Sequence, residues 1–320
     1  MSRLIFKRLV MLIPLLFGVS LFAFLLISTA PGDPVAALIN PVDSSIDVTA
    51  LEARRQALGL RDSLPVRYAR WVGQLLTGNL GRSYATGRPV LAEMLNRVGA
   101  TTQLAFTAVA VGLAIGVLAG AASALRRGTW LDTLITLAGF LVVATPPFFL
   151  GLALIFLLSL QLNLFPTGGM LTLGSGGGLG DRLSHLVMPA IVLALPFITE
   201  VTRYTRGGLI DVLKQDFIRT ARGKGLRPRR VVLVHALRNA LMPLVTITAL
   251  ALPTLLGGAI ITETVFQWPG LGTLTIDAVH QRDYPIILAV TLFSALTVIA
   301  ANLLADIAYS VVDPRVRYEP

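Results

Sequence analysis

Six long windows of the chain carry no charged residue: Leu9 to Gly32, Val98 to Leu125, Thr133 to Gly180, Leu183 to Thr199, Asn239 to Thr262 and Tyr284 to Ala305. A bilayer core about 30 Å thick needs roughly 20 apolar residues per helix, because lipid offers the backbone no hydrogen-bond partner. Each window therefore reads as a membrane helix. The third is too long for one span, and its second half breaks into Pro166, Gly168, Gly169, Gly174 and the run Gly176 to Gly178, so the helix is expected to end near Leu162 with a loop beyond. The fourth is short and holds His185, Pro189 and Pro196. The pattern predicts an all-α integral membrane protein of six helices: 1–30, then about 98–125, 133–162, 183–204, 239–262 and 284–308.

Composition agrees. Of 320 residues 54% are hydrophobic and only 14% charged, against roughly 25% in soluble domains. The net charge of +10 could suggest nucleic-acid binding, but the basic residues are scattered between apolar blocks and serve membrane orientation better. With the N-terminus inside, the inner segments hold 17 Lys and Arg, and the short outer loops hold two, Arg182 and Arg282. The remaining eight lie in the long 31–97 region, where charge has little influence on topology. Both termini are expected on the cytoplasmic side, with 31–97 outside and 310–320 as a cytoplasmic tail. Arg3, Lys7 and Arg8 before the first window resemble a secretory signal, with Ser28-Thr29-Ala30 as a cleavage site. The apolar stretch is long for a signal core and Pro31 follows the site, so a retained helix is expected. Cysteine is absent, which excludes disulfides and thiolate chemistry.

The spans carry no ionisable residue in their middles; Asp132, Glu200, Glu263 and Asp306 sit at span edges and are expected to reach headgroups or water. This argues against coupling to a proton or sodium gradient, whose site normally lies near the midplane. Ala108, Gly112, Gly116, Gly120 and Ala124 repeat every four residues and form a small face for close helix packing, within this chain or against another. Pro14, Pro146-Pro147, Pro189, Pro196, Pro243 and Pro253 predict bent helices in a tightly packed bundle. No phosphate-binding loop occurs, the nearest fragment being Gly223-Lys224-Gly225, and His185, His235 and His280 form no metal pattern. No catalytic residue, cofactor or metal site is expected in this chain.

The segment between the fourth and fifth spans, Glu200 to Arg238, is far longer than a turn requires. Asp211 to Arg222 lacks Pro and Gly, and Val212, Leu213, Asp216, Phe217 and Thr220 interleave with Lys214, Arg219 and Arg222 at helical spacing. Gly223 and Gly225 provide a turn, Pro228 suits the first turn of a second helix, and Val231 to Leu237 leads into the fifth span. The expectation is a helix-turn-helix on the cytoplasmic face over 205–238. A basic loop that only sets topology or binds anionic headgroups remains the alternative.

The run Asp216-Phe217-Ile218-Arg219-Thr220-Ala221-Arg222-Gly223-Lys224-Gly225-Leu226, followed by His235 to Pro243, resembles the EAA loop of ABC-importer permeases, in the form found in dipeptide, oligopeptide and nickel permeases. Ala30-Pro31-Gly32-Asp33-Pro34, Gly78 to Ser83, Gly87 to Val90, Glu263 to Gly272, Arg282-Asp283-Tyr284-Pro285 and Asp313 to Arg317 are similar to further landmarks of that family, in the same order. Arg219-Thr220-Ala221 stands where the general pattern has Glu-Ala-Ala, so no role of the missing Glu carries over. The resemblance implies a type I importer core over about 97–309, with the first span and 31–97 as an N-terminal addition. It also implies a heterodimer with a second homologous permease in the bacterial inner membrane. Two partner ATPases would bind ATP and Mg, and an extracytoplasmic binding protein would deliver peptide. Asp216, Thr220, Ala221, Arg222, Gly223, Lys224, Gly225 and Leu226 would dock the ATPase, with Ala221 and Gly225 at the closest approach. Trp268, Pro269, Arg282 and Asp283 would meet the binding protein. No nucleic acid is implied; the competing function is an ion-coupled secondary transporter or channel working without an ATPase.

Overall fold

The computed structural model describes residues 2–29, 35, 48–172, 174 and 176–312. Among them every regular element is helical, apart from one isolated bridge between Arg82 and Pro89. The landmarks Ala30 to Pro34 and Asp313 to Arg317 lie outside the described residues, as does Ser175 of the glycine-rich loop. The chain divides into two compact units, Met1–Thr101 with Pro269–Ile299, and Thr102–Trp268 with Ala300–Pro320.

The helices are α1 (Ser2–Thr29), α2 (Val48–Ala57), α3 (Leu64–Leu76), α4 (Val90–Leu125), α5 (Trp130–Ala144), α6 (Pro147–Leu154), α7 (Leu179–Val212), α8 (Asp216–Gly223), α9 (Pro228–Arg230), α10 (Leu237–Ala240), α11 (Met242–Val265), α12 (Leu271–Gln281) and α13 (Tyr284–Val312). Among the described residues four are long and apolar enough to cross a membrane, and counting each of two bent pairs as one span gives six. One pair is α5 with α6 and its π-helical continuation Ile155–Gln161, bent by 109°. The predicted single helix 133–162 is therefore broken. Thr145 precedes Pro146 and is driven out of the helical region to φ −103°, ψ 130°, and neither proline of the Pro146-Pro147 pair can donate to the helical ladder. The second pair, Pro228–Ala240 with Met242–Leu252, bends by 47° beside Pro243.

In the second unit α7 is the central helix, with α5, α6, α10 and α11 packed on it. It runs to Val212, eight residues beyond the predicted end of the fourth span, straight through Pro189, Pro196 and Gly207-Gly208. The small face of α4 packs against it. A Cβ on Gly116 would lie 2.6 Å from Val201 Cβ, and one on Gly120 would lie 2.6 Å from the Thr202 carbonyl oxygen. A Cβ on Gly112 would strike the Phe197 ring. The four-residue stripe thus meets residues 197, 201 and 205 of a helix in the same chain, the close approach that small residues permit in lipid.

In the first unit, Val90, Met94, Leu271, Leu274, Ala278, Ile286 and Val290 form a buried cluster that joins the start of α4 to α12 and α13. A second cluster sets Phe24 and Ile27 of α1 with Tyr284 and Leu288 of α13, and Tyr68 and Trp71 of α3 pack on it. The Ser20 and Tyr68 hydroxyls, 2.7 Å apart, tie α3 to α1.

Candidate functional site

Val212 closes α7, and turn bonds from the Lys214 amide to Asp211 O (3.2 Å) and from the Gln215 amide to Val212 O (3.1 Å) reverse the chain. The amphipathic helix expected from Asp211 starts instead at Asp216, because Asp211 and Val212 complete α7 and Gln215 is extended at φ −75°, ψ 153°. Ile218 and Ala221, three residues apart, place one face of α8 in a buried cluster with Leu209, Val212, Val231, Ala236 and Ala240. Asp216, Phe217, Arg219, Thr220, Arg222 and Lys224 are exposed on the remainder of the helix surface.

The end of α8 explains Gly225. Its amide bonds to Arg222 O at 2.9 Å, the Leu226 amide reaches Ala221 O at 3.4 Å, and Gly225 is left-handed at φ +73°. This is a Schellman C-cap, completed by contact between its two flanking apolar residues. Those residues are Leu226 and Ala221, which share one cluster. The chain itself makes use of both small residues. Ala221 is only 8% exposed, its side chain turned into the cluster of its own chain. Within this chain Gly225 has open space around its Cβ direction, and its left-handed backbone by itself favours glycine. Pro228 opens the following helix at its first turn, as expected, and π-helical turns over Val231–Ala236 carry it to α10.

Directly beside this element lies a carboxylate that the pattern misjudged. Asp132 was expected to reach headgroups or water, yet it is buried. It accepts Arg206 Nε at 2.7 Å, Arg206 Nη2 at 2.8 Å, the Gly128 amide at 2.9 Å and the Ser123 hydroxyl. A bidentate guanidinium–carboxylate pair is both strong and directional. It joins the end of α4, the start of α5 and the last turns of α7, three residues before Leu209 enters the α8 cluster. Glu263 is likewise fully buried, and its carbonyl accepts the Trp268 amide at 2.8 Å.

The residues expected to meet a binding protein do not all present themselves. Trp268 is 0% exposed and Asp283 1%. Pro269 and Arg282 are partly exposed, and Arg282 is left-handed at φ 53°, where α12 ends. Asp283 instead organises the first unit's loops. It accepts the Ser83 hydroxyl and the amides of Tyr84 (3.0 Å) and Ala85 (3.4 Å), while Ser83 Oγ accepts the Thr86 amide at 2.9 Å. The Gly78 to Ser83 and Arg282 to Pro285 landmarks, about 200 residues apart, thus form one structure. Trp268 is buried within the chain, and the Asp283 carboxylate finds its partners there.

Phe217, Ser123 and Arg206 were not singled out by sequence. Phe217 carried a signal, an aromatic within an otherwise polar stretch of a short basic helix. Arg206 carried none, since its partner is 74 residues away. Among the described residues no cluster of His, Cys, Asp or Glu could hold a metal ion.

The family described as "Binding-protein-dependent transport system inner membrane component" matches residues 88–318, and its N-terminal companion, "Binding-prot-dependent transport system membrane comp, N-term", matches 1–105. The chain is 42% identical over 99% of its length to the whole of the oligopeptide transport system permease protein AppB of Bacillus subtilis (strain 168). It is 40% identical over its full length to all of the di/tripeptide transport system permease protein DppB of Pseudomonas aeruginosa (strain UCBPP-PA14). It is also 37% identical over its full length to all of the glutathione transport system permease protein GsiC of Escherichia coli O6:H1 (strain CFT073). Among solved structures, a chain of the MetNI methionine ABC transporter in an inward-facing conformation matches with a TM-score of 0.52. That match has 16% identity and covers 70% of this chain and 97% of that one, which places the fold among type I ABC-importer membrane subunits. With family matches that together span nearly its whole length, this chain belongs to the family of binding-protein-dependent transport system inner membrane components.

Proposed function

We propose that this chain is the permease subunit of an ATP-driven importer that carries di- or oligopeptides across the bacterial inner membrane. It would pair with a second homologous permease and receive cargo from an extracytoplasmic binding protein. Support for the peptide cargo comes from the names of its relatives, which are oligopeptide, di/tripeptide and glutathione permeases. Support for external ATPases comes from the sequence, which has no phosphate-binding loop. The bias of 17 basic residues against two supports cytoplasmic termini and, with them, a cytoplasmic α8.

The observation that carries the coupling role is the two-faced character of α8. Ile218 and Ala221 lock one face into the cluster around the end of α7, while Phe217, Thr220 and Lys224 stand exposed on the other. Force applied to the exposed face passes into α7, since the helix cannot yield without opening its buried side. An aromatic anchor in an interface is commonly worth ~2 kcal/mol or more. Phe217→Ala is therefore expected to strip the ATPases from the purified complex and abolish ATP-dependent uptake. Gly225→Val should do the same by denying the left-handed C-cap. Lys224→Ala, an exposed charge worth about 0–1 kcal/mol, should change either readout little. Wild-type ATPase retention by both Phe217→Ala and Gly225→Val would overturn the docking role. Uptake by this chain alone in proteoliposomes, driven by an ion gradient, would favour secondary transport.

A further inference from the structure

The first unit contains an open cleft of about 640 Å³ that neither the fold nor the coupling element accounts for. Its walls are the ends of two apolar helices, Ile27 and Ser28 of α1 and Tyr284 and Leu288 of α13, with Arg67 and Trp71 of α3 across from them. Both α1 and α13 are among the helices apolar enough to cross a membrane, so the cleft lies where two spans reach the interface.

Three features of the cleft point to one ligand chemistry. The first is charge. Arg67, Arg70 and Arg82 line the cleft with Asp62 as its sole carboxylate, and Arg70 is paired to Asp62 at 2.7 Å. Among the described residues Arg67 and Arg82 have no carboxylate at ion-pair distance. Arg67 sits 5.9 Å from the centre of the Phe24 ring, and Arg82 donates to the Gly87 carbonyl at 3.0 Å. Neither guanidinium is neutralised by a carboxylate among the described residues, and guanidinium matches phosphate oxygens in pairs. The second is the aromatic rim of Trp71, Tyr84 and Tyr284, the residue types that settle at headgroup level. Burial raises the Tyr84 phenol above its ordinary value, and the neighbouring Arg67 charge opposes that rise. The third is apolar surface beside the cleft. Val66 and Leu76 of α3 are 48% and 82% exposed, and Phe22, Leu25 and Leu26 face outward along α1. Such side chains would be costly beside a wholly aqueous peptide channel and are at home against acyl chains.

The geometry points to a binding site for an anionic phospholipid, its phosphate held by Arg67 and Arg82 and its acyl chains lying along α1 and α3. The site requires only that α1 and α13 stand in a bilayer, and is independent of the cargo and of the ATPases. A bound lipid would brace α3 against α1 and hold the extramembrane segment of this unit at the membrane surface.

The test uses the complete importer, purified from membranes and reconstituted in nanodiscs of mixed phosphatidylglycerol and phosphatidylcholine, with retained lipid identified by mass spectrometry. Phosphatidylglycerol should be enriched in the wild type, and the enrichment should fall by roughly fivefold for each arginine removed in Arg67→Gln and Arg82→Gln. Arg61→Gln, an exposed arginine outside the cleft, should leave it unchanged. A second arm follows thermal unfolding in detergent with added dihexanoyl phosphatidylglycerol, dihexanoyl phosphatidylcholine, inorganic phosphate or a dipeptide. Stabilisation by the first alone is expected, and Arg82→Gln should remove it; that side chain is exposed, so the variant should fold even where Arg67→Gln does not. Equal stabilisation by inorganic phosphate would make this a free-anion site and overturn the lipid assignment. Stabilisation by the dipeptide without a lipid response would turn the cleft into a peptide-end site. Enrichment that survives Arg82→Gln, or falls equally in Arg61→Gln, would show bulk surface attraction only.

Discussion

Asp132 and Asp283 stand in similar sequence surroundings, each a lone carboxylate at the margin of an apolar stretch, and each is buried in its own unit. They are satisfied by different means. Asp132 is held by a cation, through both guanidinium contacts of Arg206, with Ser123 and the Gly128 amide completing its shell. Asp283 is held by neutral donors, one hydroxyl and two amides. An ion pair between helices fixes how those helices lie against each other. A carboxylate ringed by loop amides fixes the shape of a loop. The first belongs to the part that leads into α8, and the second to the part that folds two distant landmark motifs together.

The largest effect is expected from breaking the ion pair. Asp132→Asn keeps shape but leaves Arg206, its side chain 34% exposed, without its counter-charge and sets an amide donor where the bidentate fork needs an acceptor. Most transport should be lost, with a lower unfolding temperature of the purified complex. Arg206→Lys should recover only part, since an ammonium cannot reproduce the bidentate fork. The reversed pair, Asp132→Arg with Arg206→Asp, should do better than either single reversal. Wild-type uptake by Asp132→Asn would mean that the two carboxylates do the same kind of work.

Asp283 should respond to shape more than to charge. Asp283→Ala leaves buried amides of Tyr84 and Ala85 without their acceptor and should cost about 1–3 kcal/mol. Asp283→Asn keeps an oxygen for the Tyr84 amide and offers its new N–H to the Ser83 hydroxyl, so that only the long 3.4 Å contact from the Ala85 amide is lost and the cost should be about 1 kcal/mol. Unfolding midpoints in detergent separate the two. If Asp283→Asn proves as harmful as Asp132→Asn, charge governs both sites.

The smallest effect should come from an exposed carboxylate, Glu52, which pairs with Arg55 and Arg61. Hydrogen bonds from Arg61 and then Arg55 hold its carboxyl below the ordinary value of 4.5. A depressed folded-state pKa contributes stability above the unfolded value that is lost as pH falls through the folded one. Wild type and Glu52→Gln should therefore differ slightly at pH 7 and converge as the pH is lowered below 4.5. A difference that grows on acidification would contradict this sign.

Legibility in the sequence differed sharply among these features. The small stripe on α4 was readable because helical periodicity places every fourth residue on one face, whatever the partner; that the partner is α7 of the same chain was not. The short helix α8 was readable as a helix, but its start was misplaced. Periodicity suggested a start at Asp211, but it cannot say where α7 stops. A small residue such as Ala221 also reads alike whether it turns toward a partner or toward its own core. Gly225 was rightly expected at a turn, since turn chemistry is local. The break at Thr145 was signalled by Pro146-Pro147, while its 109° angle depends on what α5 and α6 pack against.

By itself the sequence determined what local physics controls: an all-helical chain with apolar helices long enough to cross a membrane, and the positions of glycine and proline that shape its turns and breaks. Family membership too was visible in motifs spaced along one line of text. Tertiary structure alone decided which edge carboxylates are buried and what satisfies them, which face of α8 is free, and that Arg67 and Arg82 converge on one cleft at the ends of α1 and α13. These are pairings between residues tens to hundreds of positions apart. A polar group's cost or benefit depends on the partner it meets, and the partner is named only by the fold.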